Sequence, residues 1–192
     1  MASRYDDEIW ELVTEETAAP PAHLARFVKG LGPVPDALDV GCGDGRLTAL
    51  LPADRVTAAD VSARALERAR RTAPEAELVE LEPDSPLPFG DAAFDLVLCA
   101  ETVEHVRDLQ VLLSEIRRVL RPGGRLAVTT PAHGGATGLL LLGRGFERHF
   151  DPLSPHLRFF TRRSLARVLG ELGFEPGRIE RAGGSLLAVA AR

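Results

Sequence analysis

Ala37-Leu-Asp-Val-Gly-Cys-Gly-Asp-Gly-Arg-Leu47 decides the fold: an apolar strand runs into three glycines at alternate positions and then into a segment with helical spacing. Gly41, Gly43 and Gly45 carry no Cβ, so the backbone turns sharply there and can lie against a ligand. A helix following the turn would offer unpaired N–H groups at its positive end. The spelling is G-x-G-x-G rather than the G-x-G-x-x-G of a pyrophosphate-binding turn, which makes a dinucleotide the weaker reading of a nucleotide-type pocket. Arg55-Val-Thr-Ala-Ala-Asp60 is a second short strand, and its terminal carboxylate is placed to accept both hydroxyls of a ribose.

Taken with Asp60, Leu38-Asp-Val-Gly-Cys-Gly-Asp-Gly45 resembles the cofactor site of class I S-adenosylmethionine-dependent methyltransferases. Leu87-Pro-Phe-Gly-Asp-Ala-Ala-Phe-Asp-Leu-Val-Leu98 is similar to that family's fourth-strand motif, and Val119-Leu-Arg-Pro-Gly-Gly-Arg-Leu126 to its turn before the fifth strand. The resemblance covers nearly the whole chain. It implies S-adenosylmethionine as cofactor, with Asp39, Gly41, Cys42, Gly43, Gly45, Asp60, Val61, Glu82, Asp84, Cys99 and Ala100 around it. Within that set it implies the ribose on Asp60, the methionine portion facing Asp39 and Gly41, and the adenine near Glu82 to Ser85. Glu82-Pro-Asp84 departs from the family's usual Gly-Asp spelling, so either acid serves. A capping role for Asp60 in the next helix is the competing reading.

Strand and helix signals alternate along the chain. Leu24, Phe27, Val28 and Leu31 give a helix opened by Pro20 and Pro21 and stopped by Gly30 and Gly32. Leu47, Leu50 and Leu51 suggest a helix after the glycine turn, Ser62 opens another, and Asp108 caps a third with a stripe of Leu109, Leu112, Ile116, Val119 and Leu120. Strands are expected at Glu77 to Leu81, Ala93 to Cys99 and Arg125 to Thr130. Thr161 caps a last helix ended by Gly173, and two antiparallel strands joined through Gly183 and Gly184 close the chain. The alternation predicts an α/β, doubly wound, mostly parallel sheet with its ligand at the carboxyl ends of the strands. The resemblance makes this a Rossmann-like seven-stranded sheet with an antiparallel last strand.

With 192 residues, 45% of them hydrophobic and 27% charged, the chain buries one sizeable core, and residues 1–192 read as one domain. Residues 1–34 are expected to form helices, beginning with an amphipathic one over 4–17 that shows Tyr5, Ile9, Leu12 and Val13, and the resemblance implies that they lid the cofactor. Residues 132–160 form an insertion that holds four of the eight phenylalanines, Phe146, Phe150, Phe159 and Phe160, and is expected to wall a substrate pocket. No apolar run reaches the roughly 20 residues of a membrane span, and a cytoplasmic location is expected. Cys42 and Cys99 fall at strand ends and read as reduced thiols rather than a disulfide. The net charge of −5 argues against a protein that mainly coats nucleic acid. The charge is uneven, however. Asp6, Asp7, Glu8, Glu11, Glu15 and Glu16 crowd the start, and Arg144, Arg148, Arg158, Arg162, Arg163 and Arg167 crowd the later third.

Chemistry beyond the cofactor concentrates in Glu101-Thr-Val-Glu-His105, after the fourth strand, and in His156 of Pro155-His-Leu-Arg-Phe-Phe-Thr161. On a helix Glu101, Glu104 and His105 share one face. Three readings stand. In the first, His105 is a general base, with Glu101 and His156 beside it in the catalytic set. In the second, Glu101, Glu104, His105 and His156 bind a divalent metal, Mg²⁺, Mn²⁺ or Zn²⁺, that polarises an acceptor oxygen. In the third, the Glu-His pair only fixes the loop. The run resembles both the small-RNA 3′-terminal 2′-O-methyltransferases and the ubiquinone-biosynthesis O-methyltransferases. The function expected is methyl transfer to an O or N atom of a small molecule, the chain's partner of choice. An RNA 2′-O-methyltransferase is the second reading and a non-catalytic cofactor-binding subunit the third. A second copy of the chain is a candidate partner through the aromatic insertion.

Overall fold

A computed structural model describes Trp10, residues 19–134 and residues 156–192. The expected helix over 4–17, Trp10 apart, and the 135–155 part of the insertion, with Phe146 and Phe150, lie outside the described residues.

Helix α1 (Ala22–Lys29) buries Leu24 and Val28, and Gly32 at φ +76° turns the chain into β1 (Val34–Val40). Strand β2 (Ala53–Asp60) follows, then α2 (Ala63–Thr72), β3 (Glu77–Glu80), β4 (Phe94–Ala100), α3 (Leu109–Val119) and β5 (Leu120–Pro131). Helix α4 (Arg162–Glu171) leads into β6 (Glu175–Pro176), β7 (Glu180–Ala182) and β8 (Ser185–Ala191). The sheet runs β3-β2-β1-β4-β5-β8-β6, with β7 also on β8. The pairs among β1 to β5 are parallel and those to β8 antiparallel. This is the expected Rossmann-like plan with eight strand segments rather than seven, because the penultimate strand is broken between Pro176 and Glu180.

Alternate residues of the central strands feed two cores. Leu38, Val97, Cys99, Leu126 and Val128 pack with α3 and α4, while Ala37, Leu96, Leu98 and Ala127 pack with Val28 and Leu31. The stripe of α3 is Leu109, Leu113, Ile116 and Val119; Leu112 is only partly buried, and Leu120 already belongs to β5. Three caps stand as expected, with Ser62, Asp108 and Thr161 side chains accepting from the N–H groups of Ala65, Val111 and Ser164.

One expected helix is missing. After the glycine turn the chain forms only a 3₁₀ turn, Thr48–Leu50. Pro52 forces Leu51 out of helical space, to ψ 126°, and β2 begins at Ala53. Three residues align too few peptide dipoles to attract an anion, so the glycine turn acts through its backbone shape rather than through a helix end.

At the amino ends of the strands, Asp36 accepts two hydrogen bonds from Arg55, at 2.6 and 2.8 Å, and others from Arg121, which also reaches Asp95 at 2.5 Å. The network joins β1, β2, β4 and the start of β5. Hydrogen bonding to Arg55 and then Arg121 outweighs burial and holds the Asp36 carboxyl below its usual 3.8. Asp36→Asn is expected to lower stability at pH 7 by about 1–2 kcal/mol. The stabilisation is present above the unfolded-state pKa and is lost as pH falls through the depressed folded value, so urea unfolding at pH 3 should show a smaller difference.

Candidate functional site

The strand order reverses between β1 and β4, which opens a crevice at their carboxyl ends. There Gly41, Gly43 and Gly45 adopt φ of +73°, +54° and +78°. A Cβ on Gly41 would lie 2.5 Å from the Thr102 side chain, and one on Gly45 would lie 3.0 Å from Ala69 of α2. Gly41 and Cys42 both donate to the Ala59 carbonyl at the end of β2. Asp60 completes the tie: Oδ2 accepts from the Gly43 N–H at 2.8 Å and Oδ1 from the Ser62 N–H at 2.9 Å. It thus has a structural task as well as the ribose task implied by the resemblance. Val61, next in the chain, is half-buried.

Asp39 is 2% exposed and accepts the Thr48 hydroxyl at 2.7 Å. Burial, reinforced by the charge of Asp60, raises its carboxyl to about 7. Burial also raises the Cys42 and Cys99 thiols, with Asp39 adding to the first and Glu104 to the second. Both cysteines are free and buried, so they behave as packing residues and not as nucleophiles. Ala100, at the end of β4, is half-buried. Leu81 donates to the Asp60 carbonyl, bringing the loop after β3 beside the turn. In that loop Glu82 is exposed, and Asp84, also exposed and at φ +57°, pairs with Arg107 at 3.5 Å.

Trp10 lies over the turn, its ring 2.8 Å from where a Gly43 Cβ would stand. The Arg68 guanidinium sits 5.5 Å from the ring centroid and donates to the Trp10 carbonyl at 2.6 Å. The residues fit a nucleoside with a short charged tail: a Cβ-free cradle, an acid at the end of β2, and an aromatic cover.

Beyond β4 the expected helical face is absent. Glu101 sits at φ +49°, and its N–H donates to the carbonyl and hydroxyl oxygens of Thr129. Residues 101–107 are turns and bends rather than a helix, so Glu101 does not align with Glu104 and His105 as i, i+3 and i+4 would have it. Glu104 is 1% exposed and accepts the Thr130 hydroxyl at 3.0 Å through Oε2. Among the described residues no hydrogen-bond donor reaches its Oε1, nor the buried Oε1 of Glu101. Burial, with Glu101 adding, raises the Glu104 carboxyl to about 7.

His156 arrives on an extended segment held against this turn. Leu157 and Arg158 donate to the Glu104 carbonyl, and the Arg158 guanidinium donates to the Val106 and Arg107 carbonyls. The His105 and His156 rings stand 4.8 Å apart, and burial, then His105, lowers the His156 pKa. Glu104, His105 and His156 offer ligand atoms within 4.8 Å of one another. Three of the four residues expected to bind a metal therefore converge, without Glu101. Their spread exceeds the roughly 3.3 Å between neighbouring ligands around zinc at its bond lengths. Phe160, expected in a pocket wall, is buried in the main core, while Phe159 is half exposed against the His133 ring. Sequence spacing does not single out Trp10, Thr102, Thr130 or Arg158.

Residues 38–128 match the family model described as a methyltransferase domain. The chain is 35% identical over 133 residues to a trans-aconitate 2-methyltransferase of Azoarcus sp. (strain BH72), covering 66% of this chain and 50% of that one. It is also 35% identical over 138 residues to a malonyl-[acyl-carrier protein] O-methyltransferase of Enterobacter lignolyticus, covering 70% and 53%. The chain spans about half the length of these curated relatives. Its fold is shared by a Burkholderia thailandensis 1,6-didemethyltoxoflavin-N1-methyltransferase solved with S-adenosylhomocysteine, at TM-score 0.69 and 24% identity over 100% of this chain and 84% of that one. Among the described residues no helix is long and apolar enough to cross a membrane. Residues 38–128 thus match a methyltransferase domain, within a chain that shares its fold with a solved methyltransferase.

Proposed function

We propose that this chain transfers a methyl group from S-adenosylmethionine to an oxygen or nitrogen of a small molecule. The observation that carries the reading is the Gly41–Gly45 cradle, bolted to Asp60, opening beside Glu104, His105 and His156. When bound, the cofactor supplies an activated methyl on a sulfonium; the protein's share is positioning and proton removal. Asp60 holds the ribose, Asp39 and Gly41 border the methionine end, and Glu82 or Asp84 borders the adenine. His105 and His156 flank the acceptor, and the lowered pKa of His156 keeps its ring neutral and able to take a proton at pH 7. Two of the names support a small acceptor, since trans-aconitate and didemethyltoxoflavin are small molecules.

Calorimetric titration with S-adenosylhomocysteine tests the reading, and a chain that does not bind it overturns it. Trp10 is the only tryptophan, so the same titration is expected to shift its fluorescence; an unchanged spectrum would place the ring away from the ligand. The convergence of three donors favours a second reading, a divalent metal at Glu104, His105 and His156 that polarises the acceptor. Stoichiometric Mn²⁺ or Zn²⁺ binding, lost in His156→Ala, would establish it.

A further inference from the structure

Glu104 is the most deeply buried acid of the acceptor corner, and only half of its carboxylate is used. Thr130 takes Oε2, while Oε1 has no hydrogen-bond donor among the described residues, and the same holds for the buried Oε1 of Glu101. Glu101 opens the same turn three residues earlier, and its charge bears on both Glu104 and His156. A buried carboxylate oxygen without a donor is costly, and it is relieved by a cation or a proton. The guanidinium groups on the adjoining segments have other duties: Arg158 holds the Val106 and Arg107 carbonyls, and Arg107 pairs with Asp84.

We infer that Glu104, with His105 and His156, receives the ammonium group of a basic amine, which is the acceptor class of the transfer reaction. The inference rests on the methyl-transfer reading above and narrows it.

The outer spacing of the corner admits an ammonium. Acceptors hydrogen-bonded tetrahedrally to one nitrogen at about 2.9 Å stand about 4.7 Å apart. The ligand atoms of Glu104, His105 and His156 lie within 4.8 Å of one another, with Glu104 Oε1 and His105 Nε2 at 3.8 Å. Charge supports an amine over an acid, because two carboxylates would repel a carboxylate or phosphate acceptor. In the transfer the ammonium first gives one proton to an imidazole of His105 or His156. The freed nitrogen lone pair then bonds the methyl carbon, and the electron pair of the broken carbon–sulfur bond stays on sulfur.

The test uses the whole chain saturated with S-adenosylhomocysteine and two matched probe pairs, phenethylamine against 2-phenylethanol and hexylamine against hexanol. At least one amine is expected to bind about 10-fold more tightly than its alcohol, the worth of one charge-assisted hydrogen bond. Glu104→Gln should erase that preference and Glu101→Gln weaken it, each while changing S-adenosylhomocysteine affinity by less than about 3-fold. The first substitution keeps an amide oxygen that accepts from Thr130, and retained nucleoside affinity reports a folded protein. Amines and alcohols binding alike, with the nucleoside still bound, overturn this inference alone. So does stoichiometric Zn²⁺ binding at Glu104 with no amine preference. Failure of the wild-type chain to bind S-adenosylhomocysteine overturns the methyl-transfer reading and this inference together.

Discussion

Gly41→Ala is expected to weaken S-adenosylhomocysteine binding by about 100-fold or more and to destabilise the fold by about 2–4 kcal/mol. Two independent costs add. At φ +73° an L-residue pays about 1–2 kcal/mol for the left-handed conformation. In addition the new methyl would stand 2.5 Å from both Cγ2 and Oγ1 of Thr102, closer than non-bonded atoms approach. Thr102 has little room to yield, because its hydroxyl donates to the Ala100 carbonyl at 2.9 Å. Thermal unfolding and calorimetry on Gly41→Ala, Thr102→Ala and the double variant separate the costs. Thr102→Ala removes both crowding atoms and leaves a 3.1 Å contact with the threonine Cβ, so the double variant should recover part of the stability, through a coupling of about 1 kcal/mol or more. A double variant no better than Gly41→Ala would show that contact with Thr102 is not what makes glycine necessary.

The second large effect is on the pH dependence of stability. Asp39 is raised to about 7 in the folded protein from an ordinary 3.8. Between those values the native chain keeps a proton that the unfolded chain has lost, so stability falls as pH rises and levels off above about pH 7. At about 1.4 kcal/mol per unit, Asp39 removes about 4 kcal/mol across that window. Asp39→Asn cannot ionise, and its carbonyl oxygen still accepts from Thr48. Its extra buried N–H carries a cost of about 1–3 kcal/mol that does not depend on pH. The expected signature is therefore a slope: between pH 4 and pH 8 the variant should gain about 4 kcal/mol relative to the parent chain in urea unfolding. The same variant should bind S-adenosylmethionine, which carries a sulfonium, more weakly above pH 7, with a smaller effect on neutral S-adenosylhomocysteine. Parallel stability curves would show that Asp39 is already ionised in the folded chain at low pH.

What the sequence discloses about this fold depends on how local the deciding interaction is. The Gly41 to Gly45 turn and Asp60 are legible because one strand end needs positive φ and the neighbouring strand end offers a carboxylate, and both show in a few residues of sequence. The caps at Ser62, Asp108 and Thr161 are legible for the same reason. The helix expected after Gly45 fails because Leu47, Leu50 and Leu51 have helical spacing while Pro52 and the start of β2 leave the helix no length. Glu101 misleads in a different way. Its spacing to Glu104 and His105 suits a helix, but its N–H is claimed by Thr129, 28 residues away, which turns the chain instead. Glu104 is legible as a chemical group, yet its burial depends on Thr130 and on the 156–160 segment, and neither is local. Trp10 belongs to the same class, since its partners Gly43 and Arg68 are distant in sequence.

The parallel bridge between Ala132 and Phe160, with the His133 N–H on the Phe160 carbonyl, brings two distant points of the chain together at the end of β5. Any sequence placed between them leaves and returns at the same doorway, with His156 just inside it. The segment that carries His156 to Glu104 is therefore anchored at the end of β5. Loop exchange between relatives at His133 and His156 should alter which acceptor is admitted while leaving the nucleoside cradle, on the opposite side of β4, undisturbed. On the proposed methyl-transfer reading, acceptor preference is then set by what enters through this doorway and donor binding by the glycine turn.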